Sequence, residues 1–237
     1  MRTARLTRAG RVERAELDRR SNAVAEAILE PLGVPQRAQL ASAMAEVERL
    51  LIASMVRLEE CDPEHPHALA SLGAYFDELD ARFEDGFDRE RGTPDAPADL
   101  VAPAGLLVVA TLSNDPVGCG VLRFHDRHDG IPEWAELKRL WVATSMRGRG
   151  LGRRLLVDLE RRAASVGAPV VRLDTNRVLT EAIEMYRNGG YREIARFNDN
   201  PYAHHWFEKD LAPERQAATA ASTRSTNAAS GTEPAQA

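Results

Sequence analysis

Cysteine is scarce: the 237 residues hold two, Cys61 and Cys119, far apart and in no metal-ligand spacing. A disulfide framework and a zinc site are thereby excluded, and both thiols read as reduced and structural. No run of about 18 apolar residues occurs, so no membrane-crossing helix is expected. The N-terminus Met1-Arg2-Thr3-Ala4-Arg5 lacks the apolar centre of a secretory leader, and the chain is read as cytoplasmic with no membrane partner. A net charge of −5 argues against a chain that coats nucleic acid along its length. The histidines fall in pairs, His65/His67, His125/His128 and His204/His205, without a third ligand, so no metal is expected. No nucleophile stands beside a base; Cys119, between Gly118 and Gly120, reads as packed rather than activated. What is present is 43% hydrophobic residues, enough for a core, in a length that fits one large or two small domains.

The most informative stretch runs from residue 137 to 156. Leu140, Trp141 and Val142 read as a buried strand, Thr144-Ser145 follow, and a glycine-interrupted arginine cluster leads into an amphipathic helix. Strand, glycine-rich loop and helix in that order leave backbone N–H groups and the positive end of a helix dipole facing an anion, so a phosphate-bearing ligand is expected. A nucleotide-triphosphate loop needs Lys-Ser or Lys-Thr after its last glycine, but Gly152 is followed by Arg153-Arg154. The dinucleotide fingerprint needs Gly-x-Gly-x-x-Gly, whereas the glycines fall at 148, 150 and 152. The pattern Arg-x-x-Gly-x-Gly, as Arg147, Gly150 and Gly152, resembles the coenzyme A pyrophosphate loop of the GNAT N-acyltransferases. That resemblance implies acetyl-coenzyme A as acyl donor, held by Arg147, Gly148, Arg149, Gly150, Leu151, Gly152 and Arg153.

Along the chain, residues 11–32 carry an apolar stripe, Leu17, Val24, Ile28 and Leu32, and read as a long helix. Gly33 suits its end and Pro35 the first turn of a second helix with the stripe Leu40, Met44, Val47 and Leu51. Two such helices cannot bury themselves alone, so a homodimer through them is expected. Residues 55–59 read as a strand, 66–83 as a helix and the proline-bearing 88–104 as a loop. Residues 105–112 and 117–124 form a hairpin, 135–142 a strand, 151–166 a helix and 170–174 a strand. Then come a helix at 180–187 and strands at 191–197 and 205–211. This is the order of elements in the GNAT fold. The expected architecture is therefore α/β (α+β): a mixed, mostly antiparallel sheet flanked by helices, preceded by an α-helical hairpin. The divisions are 1–53, 54–212 and a tail, 213–237, too poor in large apolar residues to order itself.

A second resemblance lies at the start. Leu6-Thr-Arg-Ala-Gly10-Arg with Leu17-Asp-Arg-Arg-Ser21 is similar to the wing end and dimerisation helix of MarR-type transcription regulators. The helix-turn-helix that would read DNA is missing, so arginines 2, 5, 8, 11 and 14 can touch phosphates without specific DNA binding.

Acyl transfer to an amine needs a polarised thioester carbonyl, loss of an ammonium proton and a proton for the departing thiolate. By resemblance to the GNAT enzymes, Leu140, Trp141 and Val142 offer backbone groups to the pantetheine and thioester. Tyr186, in Ile183-Glu-Met-Tyr-Arg-Asn-Gly-Gly-Tyr191, lies next to the coenzyme sulfur and protonates it, and Asn176 meets the pantetheine. Glu136 is the expected base, with Glu133 as competitor, and His204 and His205 can line the acceptor pocket. The expected function is an acetyl-coenzyme-A-dependent N-acetyltransferase acting by direct transfer on a small-molecule or peptide amine. Two alternatives stay open, a MarR-type regulator that senses acyl-coenzyme A without turnover and an interaction module whose second domain is a scaffold.

Overall fold

The apolar stripe Leu17, Val24 and Ile28 lies on the first helix, α1 (Arg8–Leu29), of the computed structural model, which describes residues 5–92 and 94–211. The expected tail at 213–237 and Arg2 lie outside the described residues. Thr7 caps α1 by accepting from the Gly10 N–H at 3.1 Å. The helix stops at Leu29, short of the expected residue 32: Glu30 caps it in helical geometry with its N–H on Glu26 O, and Pro31 has no N–H to carry the ladder further. The second helix is α2 (Val34–Met55), so the strand expected from residue 55 starts later. Residues 1–54 form one unit and 55–237 another, and neither helix of the first has a buried residue.

The second unit is a seven-stranded sheet with helices on both faces. Strand β1 (Arg57–Glu60) precedes helix α3 (Pro66–Arg82); then come β2 (Gly105–Leu112), β3 (Asp115–His128) and β4 (Ile131–Val142). Helix α4 (Leu151–Ser165), β5 (Val170–Thr175), α5 (Thr180–Asn188), β6 (Arg192–Glu193) and β7 (His205–Asp210) complete it. The sheet order is β1-β2-β3-β4-β5-β7-β6, antiparallel throughout except for the parallel pair β4–β5. This is the mixed, mostly antiparallel fold expected from the sequence.

Strand β2 matches its apolar run, whereas β3 and β4 are longer than theirs suggest. Ser113 and Asn114 turn the first hairpin with φ of 51° and 74°, Asp129 and Gly130 the second with 51° and 81°. Two left-handed residues in succession match the natural strand twist. The Asp-Gly pair therefore carries β3 past Phe124 and starts β4 before Ala135. The strand expected at 191–197 shrinks to Arg192–Glu193.

Side chains of β3 alternate between two packed layers. Cys119 and Val121 join Leu107, Val109, Ala68 and Leu100 on the α3 side. On the other side, α4 presents Leu151, Leu155, Leu156 and Leu159, a stripe at helical spacing whose members are almost wholly buried. Each such leucine stabilises the fold by about 1.5–3 kcal/mol through burial alone. Gly120 lets α4 come this close: a Cβ there would lie 2.5 Å from Leu159 Cδ1.

Candidate active site

The sheet opens where β4 parts from β5. The two strands pair only at Ala135–Val171 and Glu136–Arg172, yet β4 runs on to Val142 and β5 to Thr175. Beyond that point the β5-facing edge of β4 has no strand partner. Arg139, at φ +54°, forms a bulge opposite the register shift between Cys119 and Val121, and so re-aims β4 into the gap.

Two cavities meet there, sharing Tyr75, Leu79, Leu140, Leu179, Ala182 and Tyr186 in their walls. The first, about 390 Å³, is lined by Leu140, Trp141, Val142, Arg147, Gly148, Gly150, Leu151, Gly152, Arg153 and Tyr186, so it brings together most of the residues expected to hold the coenzyme. Gly148 and Gly150 turn the chain with φ of +70° and +77°, and a Cβ on either would meet nothing within 4 Å. The conformation, not crowding, demands glycine, and it leaves the loop backbone open to a ligand. Gly150 caps α4 without a side-chain hydrogen bond, and the first N–H groups of a helix have no intrahelical acceptor. The first turn of α4 holds Arg153 and Arg154 and no acid, which sets like charge against the positive end of the dipole unless an anion binds. These features fit a pyrophosphate.

Arg147 is engaged across the cavity. Its Nε donates to Val142 O at 3.1 Å and its Nη2 donates to Glu78 Oε2, which also accepts from Trp141 Nε1 at 2.9 Å. Arg149 does not line this cavity. Asn176 lies on the neighbouring one with its amide committed: Nδ2 donates to Tyr202 O at 2.8 Å and Oδ1 accepts from Val178 N at 3.0 Å.

The second cavity, about 320 Å³, lies on the far side of Tyr186 and contains a carboxylate that sequence reading passed over, Asp174. It sits at the end of β5 and accepts from Asn198 Nδ2 and Asn200 Nδ2, each at 2.7 Å. Burial, aided by the charge of Glu136, pushes the Asp174 carboxyl above its ordinary value, against the lowering effect of the two asparagines and Lys138. Burial, aided by the charge of Asp174, pushes the Tyr186 phenol up, so it holds its proton at neutral pH. Burial likewise pushes up Tyr75, which lies within the electrostatic reach of Arg139, Asp174 and Tyr186.

Glu136 is placed differently. Its carboxylate pairs with His125 Nε2 at 2.8 Å, Asn198 Nδ2 approaches at 3.5 Å, and it lines neither cavity. Burial pushes it up, but the hydrogen bond to His125 and the charges of Lys138, His125 and Arg123 together hold it below the usual glutamate value. Glu133 is an exposed partner of His128 at 3.1 Å. His205 pairs with Glu193 at 2.7 Å, and His204 lines a separate surface cavity. Asp174 had one sequence signal, an acid at the carboxyl end of a strand, where open sheets bind ligands.

The family model described as the acetyltransferase (GNAT) family matches residues 72–191. Over 103 residues the chain is 33% identical to an IAA acetyltransferase of Azospirillum brasilense, a match covering 44% of this chain and 63% of that protein. The match thus spans less than two thirds of that relative. Among solved structures, a GNAT-family acetyltransferase from Staphylococcus aureus Mu50 superposes with a TM-score of 0.56 at 18% identity, covering 66% of this chain and 99% of that one. An acetyltransferase from Streptococcus agalactiae 2603 gives 0.50 at 21%, covering 66% and 98%. At such identities these two likenesses concern the fold.

Proposed function

The chain belongs to the GNAT family of acetyltransferases, and from that premise we propose that it moves the acetyl group of acetyl-coenzyme A to a primary amine within a ternary complex. The observation that carries this reading is the meeting of two cavities at Tyr186: one ends at a glycine-rich loop and helix N-terminus, the other contains the half-buried carboxylate of Asp174. Donor and acceptor can then meet without a covalent enzyme intermediate.

Acetyl-coenzyme A supplies the activated thioester. The loop from Arg147 to Arg153 holds its pyrophosphate by backbone N–H groups and charge-assisted bonds. The unpaired edge of β4 at Leu140, Trp141 and Val142 holds the pantetheine and polarises the carbonyl. Asp174 is the base, because it lines the acceptor cavity and its raised pKa makes it more basic than Glu136. Tyr186 is the acid. Burial, and to a lesser degree the charge of Asp174, keep the phenol protonated at neutral pH; uptake of the amine's proton by Asp174 removes the second of these effects as the thiolate forms and takes the phenol's proton. Glu136 acts through its charge on Asp174.

Release of coenzyme A thiol in the presence of acetyl-coenzyme A and a panel of amines tests this reading. Tyr186→Phe should lower kcat by about 10²–10⁴, the range for one acid–base group. Full activity in that variant would remove Tyr186 from the chemistry. The helices of residues 1–54 are assigned, within the same proposal, to pairing with a second copy.

A further inference from the structure

Beyond Asp174, the acceptor cavity has a charge pattern of its own. Asp95, whose side chain is fully buried, faces Lys138 Nζ at 2.9 Å, Arg139 Nη2 at 2.7 Å and Arg123 Nη1 at 2.8 Å, and Arg123 also meets Asp99 at 3.3 Å. Around Asp95, Asp99 and Glu136, whose carboxyl also feels Lys138 and Arg123, three cations are thus gathered. Arg89 adds another: its acidic neighbour Asp77 is 3.9 Å away and both are well exposed. The guanidinium carbons of Arg89 and Arg139 lie 4.2 and 5.4 Å from the centre of the Phe76 ring. Arg139 reaches this place through a left-handed backbone, a strained conformation for a residue other than glycine. Aromatic rings form one part of the remaining wall, with Phe76 stacked on Phe87 and Phe87 against Tyr202 at 4.7 Å between ring centres.

Each further ammonium on a polycationic acceptor would meet Arg89, Lys138 and Arg139 and be repelled. A carboxylate would gain charge-assisted, fork-shaped hydrogen bonds, since a guanidinium offers five N–H donors and Arg139 spends only part of that capacity on Asp95. The volume, about 320 Å³, is at the small end of the roughly 300–1,000 Å³ of ligand pockets, and aromatic walls favour an apolar body. We propose that the acceptor is an amino acid with an aromatic or other apolar side chain, its amine at Asp174, its carboxylate at Arg89 and Arg139, and its side chain among Phe76, Phe87 and Tyr202. This rests on the acetyl-transfer reading above. The amino nitrogen's lone pair forms the C–N bond to the acetyl carbonyl carbon, and the C–S bond breaks with its electron pair on sulfur. The nitrogen gives up two protons in all: one leaves to solvent by way of Asp174, and the other replaces the proton that Tyr186 gives to sulfur. The products are an N-acetyl amino acid and coenzyme A.

Matched acceptors test the assignment: phenylalanine, phenylalanine amide, 2-phenylethylamine and the polycation kanamycin, each followed by coenzyme A release. Phenylalanine should exceed the two amines that lack a carboxylate by about 10- to 100-fold in kcat/KM, the range of one charge-assisted hydrogen bond. Arg89→Gln, at an exposed position that leaves the core intact, should erase most of that preference by raising KM for the acid, and Arg139→Gln should do the same from the other guanidinium. Equal or faster turnover of the amide, of phenylethylamine or of kanamycin overturns the acceptor class and leaves acetyl transfer standing. Calorimetric titration of phenylalanine and phenylethylamine into protein saturated with coenzyme A separates the two readings. If no amine is turned over, acetyl transfer fails, while tighter binding of phenylalanine still supports the class and equal or absent binding of the two overturns it.

Discussion

Glu136 is a buried acid and Asp174 a half-buried one; the one side chain of Asn198 links them, and their environments drive them in opposite directions. The difference makes their roles separable. Asp174→Asn keeps the shape and removes the base, so kcat should fall by about 10²–10⁴. Glu136→Gln removes a charge that raises Asp174, so the acid limb of the kcat/KM profile should move to lower pH while turnover persists. Loss of turnover in Glu136→Gln with retention in Asp174→Asn would return the base to Glu136. Stability should follow the same signs. Glu136, lowered in the fold, contributes stability above its ordinary value of 4.5 and loses it as the pH falls through the lowered one, so Glu136→Gln should lose less stability on acidification. Asp174, raised in the fold, contributes at pH below its ordinary 3.8 and loses that contribution as the pH climbs through the raised value. Urea unfolding of each variant between acid and neutral pH reads both slopes.

At the scale of elements, the loop before α4 works because its backbone is left-handed at two glycines and because an acid from α3 holds its arginine. Gly150→Val would force a β-branched residue into a φ of +77°, and coenzyme affinity by calorimetry should fall with little change in α4, whose core stripe begins at Leu151. Glu78→Gln should act the other way. It keeps an oxygen for Trp141 Nε1 but frees Arg147 from a competing carboxylate, so the dissociation constant should drop a few-fold, the scale of a half-exposed ion pair. Unchanged affinity would mean that Arg147 and the pyrophosphate do not meet. This loop was legible in the sequence because its chemistry is contiguous: strand, Arg147, glycines and helix follow one another within a few residues. The acceptor side was not, because Asp174 owes its character to Asn198 and Asn200, 24 and 26 residues further on, and to Glu136 on another strand. Those asparagines lie in the stretch whose first half was expected to be a strand. Only Arg192–Glu193 pair with β7, and the following residues instead supply side chains to Asp174 and, through Asn198 Oδ1, to Trp206. Periodicity reports which face an element buries, and carries no sign of such polar crossings.

At the scale of the whole molecule, the two units differ in what they bury. The second has a core on both faces of its sheet, whereas the helices α1 and α2 of the first have none, and Val24, Ile28, Met44 and Leu51 are each about 60% exposed. Of the expected stripes, Leu17, Val24 and Ile28 lie on α1, Leu32 falls beyond its end, and Leu40, Met44, Val47 and Leu51 lie on α2, with none of these helical residues buried. Apolar surface of this kind on a pair of helices is characteristic of an interface, since a four-helix arrangement from two copies removes both stripes from water at once. A closed twofold assembly would use the same patch on each copy, so one substitution acts twice. Light scattering should accordingly give twice the chain mass for the intact protein and the single mass for residues 55–237 alone. Ile28→Glu or Met44→Glu should shift the intact chain toward monomer, because each buries two carboxylates without partners in the dimer and none in the monomer. An intact chain that stays monomeric at tens of micromolar in about 0.15 M salt, where charge repulsion is screened beyond roughly 8 Å, would show that the stripes await a different partner.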